Sequence, residues 1–188
     1  HKMEVGIVSK PKIVFSLSDF YQHKHGWTYF LLSKDKHYLK IGKTTSDLGL
    51  RIKSINNDVN YKGNEFSLLI ACVGARNEKT FHHFFSDYRA CFNWLEPGNV
   101  QKNLSYEQIW AIALKNSKNK HGVYRKRYVS WEVRDYCKRT IVELFKIPPK
   151  KLAPKLVPII IKEFESLEHE KGTKKSHFHT RTLRSVYG

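Results

Sequence analysis

Acidic side chains are scarce in this chain. Seventeen Asp and Glu face 34 Lys and Arg, a formal net charge of +17 with a pI near 9.8. An excess of that size attracts polyanions, of which nucleic acid is the commonest. Long apolar runs are missing too. The run Val157-Pro158-Ile159-Ile160-Ile161, like Leu68 to Val73, falls far short of the roughly 20 residues a membrane-spanning helix needs, which excludes a helical integral membrane protein. Cysteine is sparse. Cys72, Cys91 and Cys137 are odd in number, widely spaced and without a C-x-x-C pair, which argues against a disulfide framework and against a cysteine-based zinc site. The expected setting is reducing and intracellular, cytoplasmic or nuclear. No charged-then-apolar opening with a small-residue cleavage site is present, so no secretory leader is expected. A glycine-rich phosphate loop is absent: Lys43-Thr44 after Gly42 echoes the end of a Walker motif without its upstream glycine. Internal repeats and long low-complexity segments are also lacking.

What is present suffices for a core. Apolar residues make up 40% of the 188 and aromatics 13%, enough for one good core or for a compact catalytic domain with a small appendage. The charge is unevenly placed. Residues 1–100 carry 14 basic and 9 acidic side chains, whereas residues 101–188 carry 20 and 8. Aromatic and β-branched segments concentrate in the first part. The expected organisation is an N-terminal arm over 1–25, a catalytic domain over 26–97, a basic helical DNA-binding region over 98–171 and a flexible basic tail over 172–188. The boundary sits at the Pro97-Gly98 turn signal.

The local patterns predict an α/β fold with a small three-stranded sheet flanked by helices, followed by a mostly helical basic region. Trp27 to Leu32 and Tyr38 to Lys43 read as a hairpin around Lys34-Asp35-Lys36. Ser46 or Asp47 caps a helix through about Asn56, with Leu48, Ile52 and Ile55 on one side. Phe66 to Val73 is apolar enough for a central strand. Asn77 opens a helix carrying Phe81, Phe84 and Phe85, and Phe92 to Leu95 is a short extended piece. Beyond the boundary, Ser105 with Gln108 predicts a capped helix, and Ser130 caps another that runs to about Phe145. Pro154 and Pro158 delimit a last helix that fades at Lys171-Gly172.

Gly26-Trp27-Thr28-Tyr29 on the first strand and Lys40-Ile41-Gly42-Lys43 on the second are followed, in order, by Arg51, Glu78, Phe81-His82, Phe84, Arg89 and Trp94. This ordered set resembles the GIY-YIG nuclease superfamily, in its T5orf172-like branch, and the resemblance spans Gly26 to Leu95. Two positions depart from the family pattern. Lys40 stands where founding members have tyrosine, and Asn93 stands where the branch has glutamate. The resemblance implies a metal-dependent endonuclease that leaves a 3′-hydroxyl and a 5′-phosphate. It makes Tyr29 the candidate general base or water-orienting phenol and Glu78 the metal carboxylate. Lys40, Lys43, Arg51 and His82 complete the candidate catalytic set.

The residue types suit phosphodiester hydrolysis, in which water is deprotonated and negative charge gathers on phosphate. A free phenol has a pKa of about 10 and is a poor base at neutral pH unless cations stabilise it. Lys40, Lys43 and a divalent ion are the expected source of that field. Arg51 offers a planar fork of donors to phosphate oxygens. Glu78 is the one plausible metal carboxylate in the segment, which predicts a single Mg²⁺ or Mn²⁺ completed by water and phosphate. Each residue also has an ordinary reading. Tyr29 serves as a strand aromatic, Lys40 as a solvent-facing strand lysine, and Arg51 as a partner of Asp47. Glu78 serves as a first-turn acid against the helix dipole, and His82 as a structural histidine.

Lys115, Lys118, Lys120, Arg125, Lys126 and Arg127, with Tyr124 and Tyr128 among them, form a basic stretch that Arg134, Lys138 and Arg139 extend. Such groups contact phosphates and stack on bases, so double-stranded DNA is the expected partner. A single site nicks one strand, and a homodimer is one route to cutting both. The alternative is a catalytically silent DNA- or RNA-binding module on the same fold.

Overall fold

The computed structural model describes residues 8–58, 64–89, 91–92, 103–104, 143–171 and 181–187. Its centre is the hairpin of β2 (Trp27–Ser33) and β3 (Tyr38–Thr44). The turn is built by side chains. Ser33 Oγ donates to Asp35 Oδ1, which also accepts from the His37 N–H at 3.0 Å, while Ser33 Oγ accepts from the Tyr38 N–H at 3.0 Å. Lys36 takes the left-handed φ of 62° that closes it. Helix α1 (Leu48–Asn57) follows at once. Asp47 Oδ1 accepts from the Leu50 N–H at 2.8 Å, an N-cap that satisfies one of the orphan donors of the first turn.

Five strands form one antiparallel sheet in the order β1-β4-β2-β3-β7. Besides the hairpin it contains β1 (Ile13–Val14), β4 (Phe66–Val73) and β7 (Leu144–Lys146). A separate pair, β5 (Cys91–Phe92) and β6 (Asn103–Leu104), makes a second, two-stranded sheet. Helix α1 covers one face of the main sheet, where Trp27, Tyr29 and Leu31 meet Leu48, Ile52 and Ile55. On the other face Phe30, Leu39, Ile41, Ile70 and Cys72 pack against α2 (Glu78–Phe84), α3 (Leu156–Glu170) and α4 (Leu183–Tyr187). Helix α3 holds Leu156, Ile159, Ile160, Phe164 and Leu167 in this layer, and Pro158 falls in its first turn, where a missing N–H costs nothing. Burial pushes the Cys72 thiol up to about 12, so it behaves as a small apolar core group. Among the described residues no helix is long and apolar enough to cross a membrane.

The expected hairpin, capped helix and third strand form, and the sheet grows by a strand at each edge. The predicted helix ending near Phe145 is corrected at its end: Leu144–Lys146 is strand β7, paired with Tyr38–Lys40. A short apolar run fits a strand as well as the last turn of a helix, and the open edge of β3 decides it. The Pro97-Gly98 boundary and the helices expected from Ser105 and Ser130 lie outside the described residues. The described residues on either side of that boundary share one sheet and one core. The tail is corrected in part. Leu183 is buried in the core layer that α2 and α3 line, and Arg181 approaches Glu163 at 3.7 Å and Ser166 Oγ at 3.2 Å.

Leu183→Ala tests this docking. Emptying a core position is expected to lower the unfolding free energy by about 2–3 kcal/mol, read from urea midpoints. An unchanged midpoint would show that the segment does not pack.

Candidate functional site

Opposed residues in an antiparallel sheet share a face, and the register therefore assembles this site. Tyr29 lies opposite Gly42 on β3 and opposite Ala71 on β4; Leu31 lies opposite Lys40. The phenol is flanked by two of the smallest residues, and its ring lies across Gly42. A Cβ added there would stand 2.5 Å from Tyr29 Cζ. The glycine two residues after Lys40 is thus the space that the Tyr29 ring occupies. The ring points toward α1, where Arg51, one turn past the Asp47 cap, donates from Nε to the phenol oxygen at 3.4 Å. The carboxylate of Asp47 caps the helix while the guanidinium of Arg51 turns to the sheet.

Lys40 is almost wholly enclosed, at 1% exposure, and its ammonium forms an ion pair with Glu143, the residue just ahead of β7. Glu143 also accepts the Ile41 N–H through its backbone oxygen at 2.9 Å. Burial draws the Lys40 pKa down and Glu143 opposes that. Glu78, first residue of α2, is buried and forms an ion pair with Lys43 Nζ at 3.1 Å. The Lys43 side chain is itself half exposed. Tyr29 and Lys40 both feel the charges of Arg51, Glu78 and Glu143, so six groups from five segments share one electrostatic neighbourhood. His82 stands one turn after Glu78. Burial lowers its pKa most, against the Ile41 carbonyl and Glu78, which raise it. The neutral ring donates from Nε2 to the Ile41 carbonyl at 3.0 Å, tying α2 to β3.

Two features of the surroundings bear on the expected roles. Burial pushes the Tyr29 phenol above its ordinary range, and Arg51 offsets only part of that. The phenol is therefore neutral at pH 7, able to donate or accept a hydrogen bond but not to act as a ready base. Glu78 is also not alone. Glu143 brings a second carboxylate to the site, from more than 60 positions along the chain. Nothing in the local pattern around Glu143 marks it; the signal is Lys40, a strand lysine whose burial requires an anion. Among the described residues no group of three His, Cys, Asp or Glu is gathered to hold a metal. Arg89 donates toward the His82 carbonyl at 3.5 Å. Asn93, Trp94 and the nine basic residues between Lys115 and Arg139 lie outside the described residues.

The Tyr29–Gly42 contact is open to a double-mutant cycle. Gly42→Ala overpacks the ring and is expected to cost about 1–3 kcal/mol in the wild-type background, and much less beside Tyr29→Ala. Equal costs in both backgrounds would separate the two residues. Comparison of the chain with family models, with curated proteins and with solved structures returns no match.

Proposed function

We propose that this chain is a Mg²⁺-dependent DNA endonuclease of the GIY-YIG type. The observation that carries the reading is convergence. Tyr29, Lys40, Lys43, Arg51 and Glu78, the residues of the ordered motif, come from two strands and two helices: Arg51 bonds the Tyr29 oxygen, Lys43 pairs with Glu78, and the charges of Arg51 and Glu78 act on both Tyr29 and Lys40. A solvent-facing strand lysine or a plain core tyrosine has no need of that company. The chain's charge of +17 supports a polyanionic substrate.

Within this reading the roles divide by exposure. Arg51 and Lys43, at the open rim, bind non-bridging phosphate oxygens and offset the charge that gathers there in the transition state. Lys40, fixed and enclosed, adds a positive field at short range. Tyr29, as a neutral phenol hydrogen-bonded by Arg51, orients the attacking water through its oxygen. His82 holds α2 against β3 and so holds Glu78. The chemistry of the donor fits a hard cation: Glu78 would supply one carboxylate oxygen, and Mg²⁺ or Mn²⁺ commonly takes one or two with water and substrate phosphate. A bound divalent ion supplies Lewis-acid stabilisation of the phosphate oxygens.

A second reading has its own observation. Tyr29 and Lys40 are both enclosed, at 0% and 1% exposure, which favours a silent DNA- or RNA-binding module. A supercoiled-plasmid assay with Mg²⁺, with EDTA and with Glu78→Gln separates the two. The expected result is Mg²⁺-dependent nicking that falls by about 100-fold or more in Glu78→Gln while DNA affinity persists. Wild-type turnover in the variant would remove Glu78 from the site. Salt-sensitive binding without cleavage, on random-library DNA as well, would leave the binding module.

A further inference from the structure

Lys40 is the least accessible charged side chain of the cluster, and described groups act on it from α1, α2 and the residue ahead of β7. Arg51 from α1 repels its ammonium, Glu78 from α2 attracts it, and Glu143 is in ion-pair contact with it. The Tyr29 phenol stands on the same face, two residues along β2 from Leu31, the cross-strand partner of Lys40. An ammonium in that position has no stable place without an anion, because removing one partner of a buried pair leaves an uncompensated charge.

Glu143 does not reach Lys40 from a loose loop. Its backbone oxygen accepts the Ile41 N–H at 2.9 Å, and the next three residues pair with β3 in the register Lys40↔Leu144, Leu39↔Phe145, Tyr38↔Lys146. Leu144 and Phe145 are fully buried, one in each layer of the core. The backbone that carries the carboxylate is therefore held by β3 at residue 143 and along β7. The Glu143 side chain is about a third exposed, so one end of the pair meets the enclosed lysine and the other opens outward.

We propose that Glu143 is a positioning residue of the candidate nuclease site: the β7 ladder holds its carboxylate against Lys40 and so fixes the Lys40 ammonium beside Tyr29, Arg51 and Glu78. This rests on the nuclease reading for its catalytic consequence, though not for the contact itself. It makes the site incomplete without the strand that follows residue 143. The ordered motif over Gly26 to Leu95 contains the group that is positioned, and the group that positions it lies outside.

The test pairs a kinetic cycle with a spectroscopic one, on the full chain. Glu143→Gln is expected to lower kcat by about 100-fold with KM little changed, and Glu143→Asp to recover part of that loss. Beside Lys40→Met, Glu143→Gln is expected to cost nothing further, because the group it acts through is gone. The Lys40→Met/Glu143→Gln protein buries no unpaired charge, so this comparison survives if Glu143→Gln alone fails to fold. In ¹⁵N-lysine-labelled protein the Lys40 Nζ resonance is expected to be protected from exchange in the wild type and in Glu143→Asp, and lost in Glu143→Gln. Wild-type cleavage in Glu143→Gln, a full additive loss beside Lys40→Met, or a Lys40 resonance indifferent to residue 143 would each overturn the proposal. A wild type that cleaves no DNA would instead overturn the nuclease reading. The Lys40 resonance would then decide the positioning contact by itself.

Discussion

A lysine ammonium enclosed at the face of a β-sheet has to find an anion, and much of this fold is arranged around that constraint. Removing an ion from water costs several kcal/mol even after relaxation, and the return depends on geometry. Here Lys40 sits on β3, between the hairpin partner β2 and the edge strand β7. The chain reaches the paired carboxylate only by returning to the sheet at residue 143. The same return buries Leu144 and Phe145 and leads into Ile147 and α3. Closing the edge of the sheet, completing the core under α3 and neutralising Lys40 are thus one structural event.

The second constraint is spatial and runs across the strands. An aromatic ring that lies flat over a neighbouring strand needs a residue without a Cβ beneath it, and Gly42 answers to Tyr29. On the other side the ring adjoins Ala71, and that neighbour depends on an irregularity in β4. Phe30 pairs with Ile70 and Leu31 with Leu68, so the register skips Leu69. Before the skip Phe66 and Leu68 face α1; after it Ala71 and Val73 do. A bulge of this kind changes which residues of a strand share a face, and bulges gather next to sites where side chains must be aimed.

That skip also explains how far the sequence was legible. Alternation in β2 and β3, the Asp47 cap and the stripe of Leu48, Ile52 and Ile55 are local signals, and the corresponding elements form as expected. The parity change in β4 is invisible to a rule of strict alternation, because Phe66 and Ala71 read as opposite faces. Strand β7 was hidden for a different reason. Its three residues are too few for periodicity to speak, and its identity comes from the unpaired edge of β3, a partner roughly 100 residues away in sequence. The motif residues of the site were legible because each lies on an element with a local signal. Glu143 was not, since its only warrant is a contact in space. The neutral state of the Tyr29 phenol was illegible likewise: cations nearby in sequence suggested a lowered pKa, and burial, which no spacing reveals, pushes it the other way.

Exposure divides the cluster into two tiers, and the division has a physical logic. The inner tier of Tyr29, Lys40 and Glu78 is packed, hydrogen-bonded or ion-paired, and held by neighbours on both faces of the sheet. Groups held in this way need no reorganisation when charge develops beside them, and they act in a weaker dielectric than water. The outer tier, Arg51 and Lys43, retains long flexible side chains with solvent access, suited to capturing an anion from solution. In the ligand-free protein each outer cation already leans on an inner group: Arg51 on the Tyr29 oxygen, Lys43 on the Glu78 carboxylate. Under the proposed nuclease reading, a phosphate at the rim would compete for those same cations. Its binding would release the phenol oxygen and the carboxylate as an anion took their place, and so would couple occupancy of the rim to the availability of the inner tier.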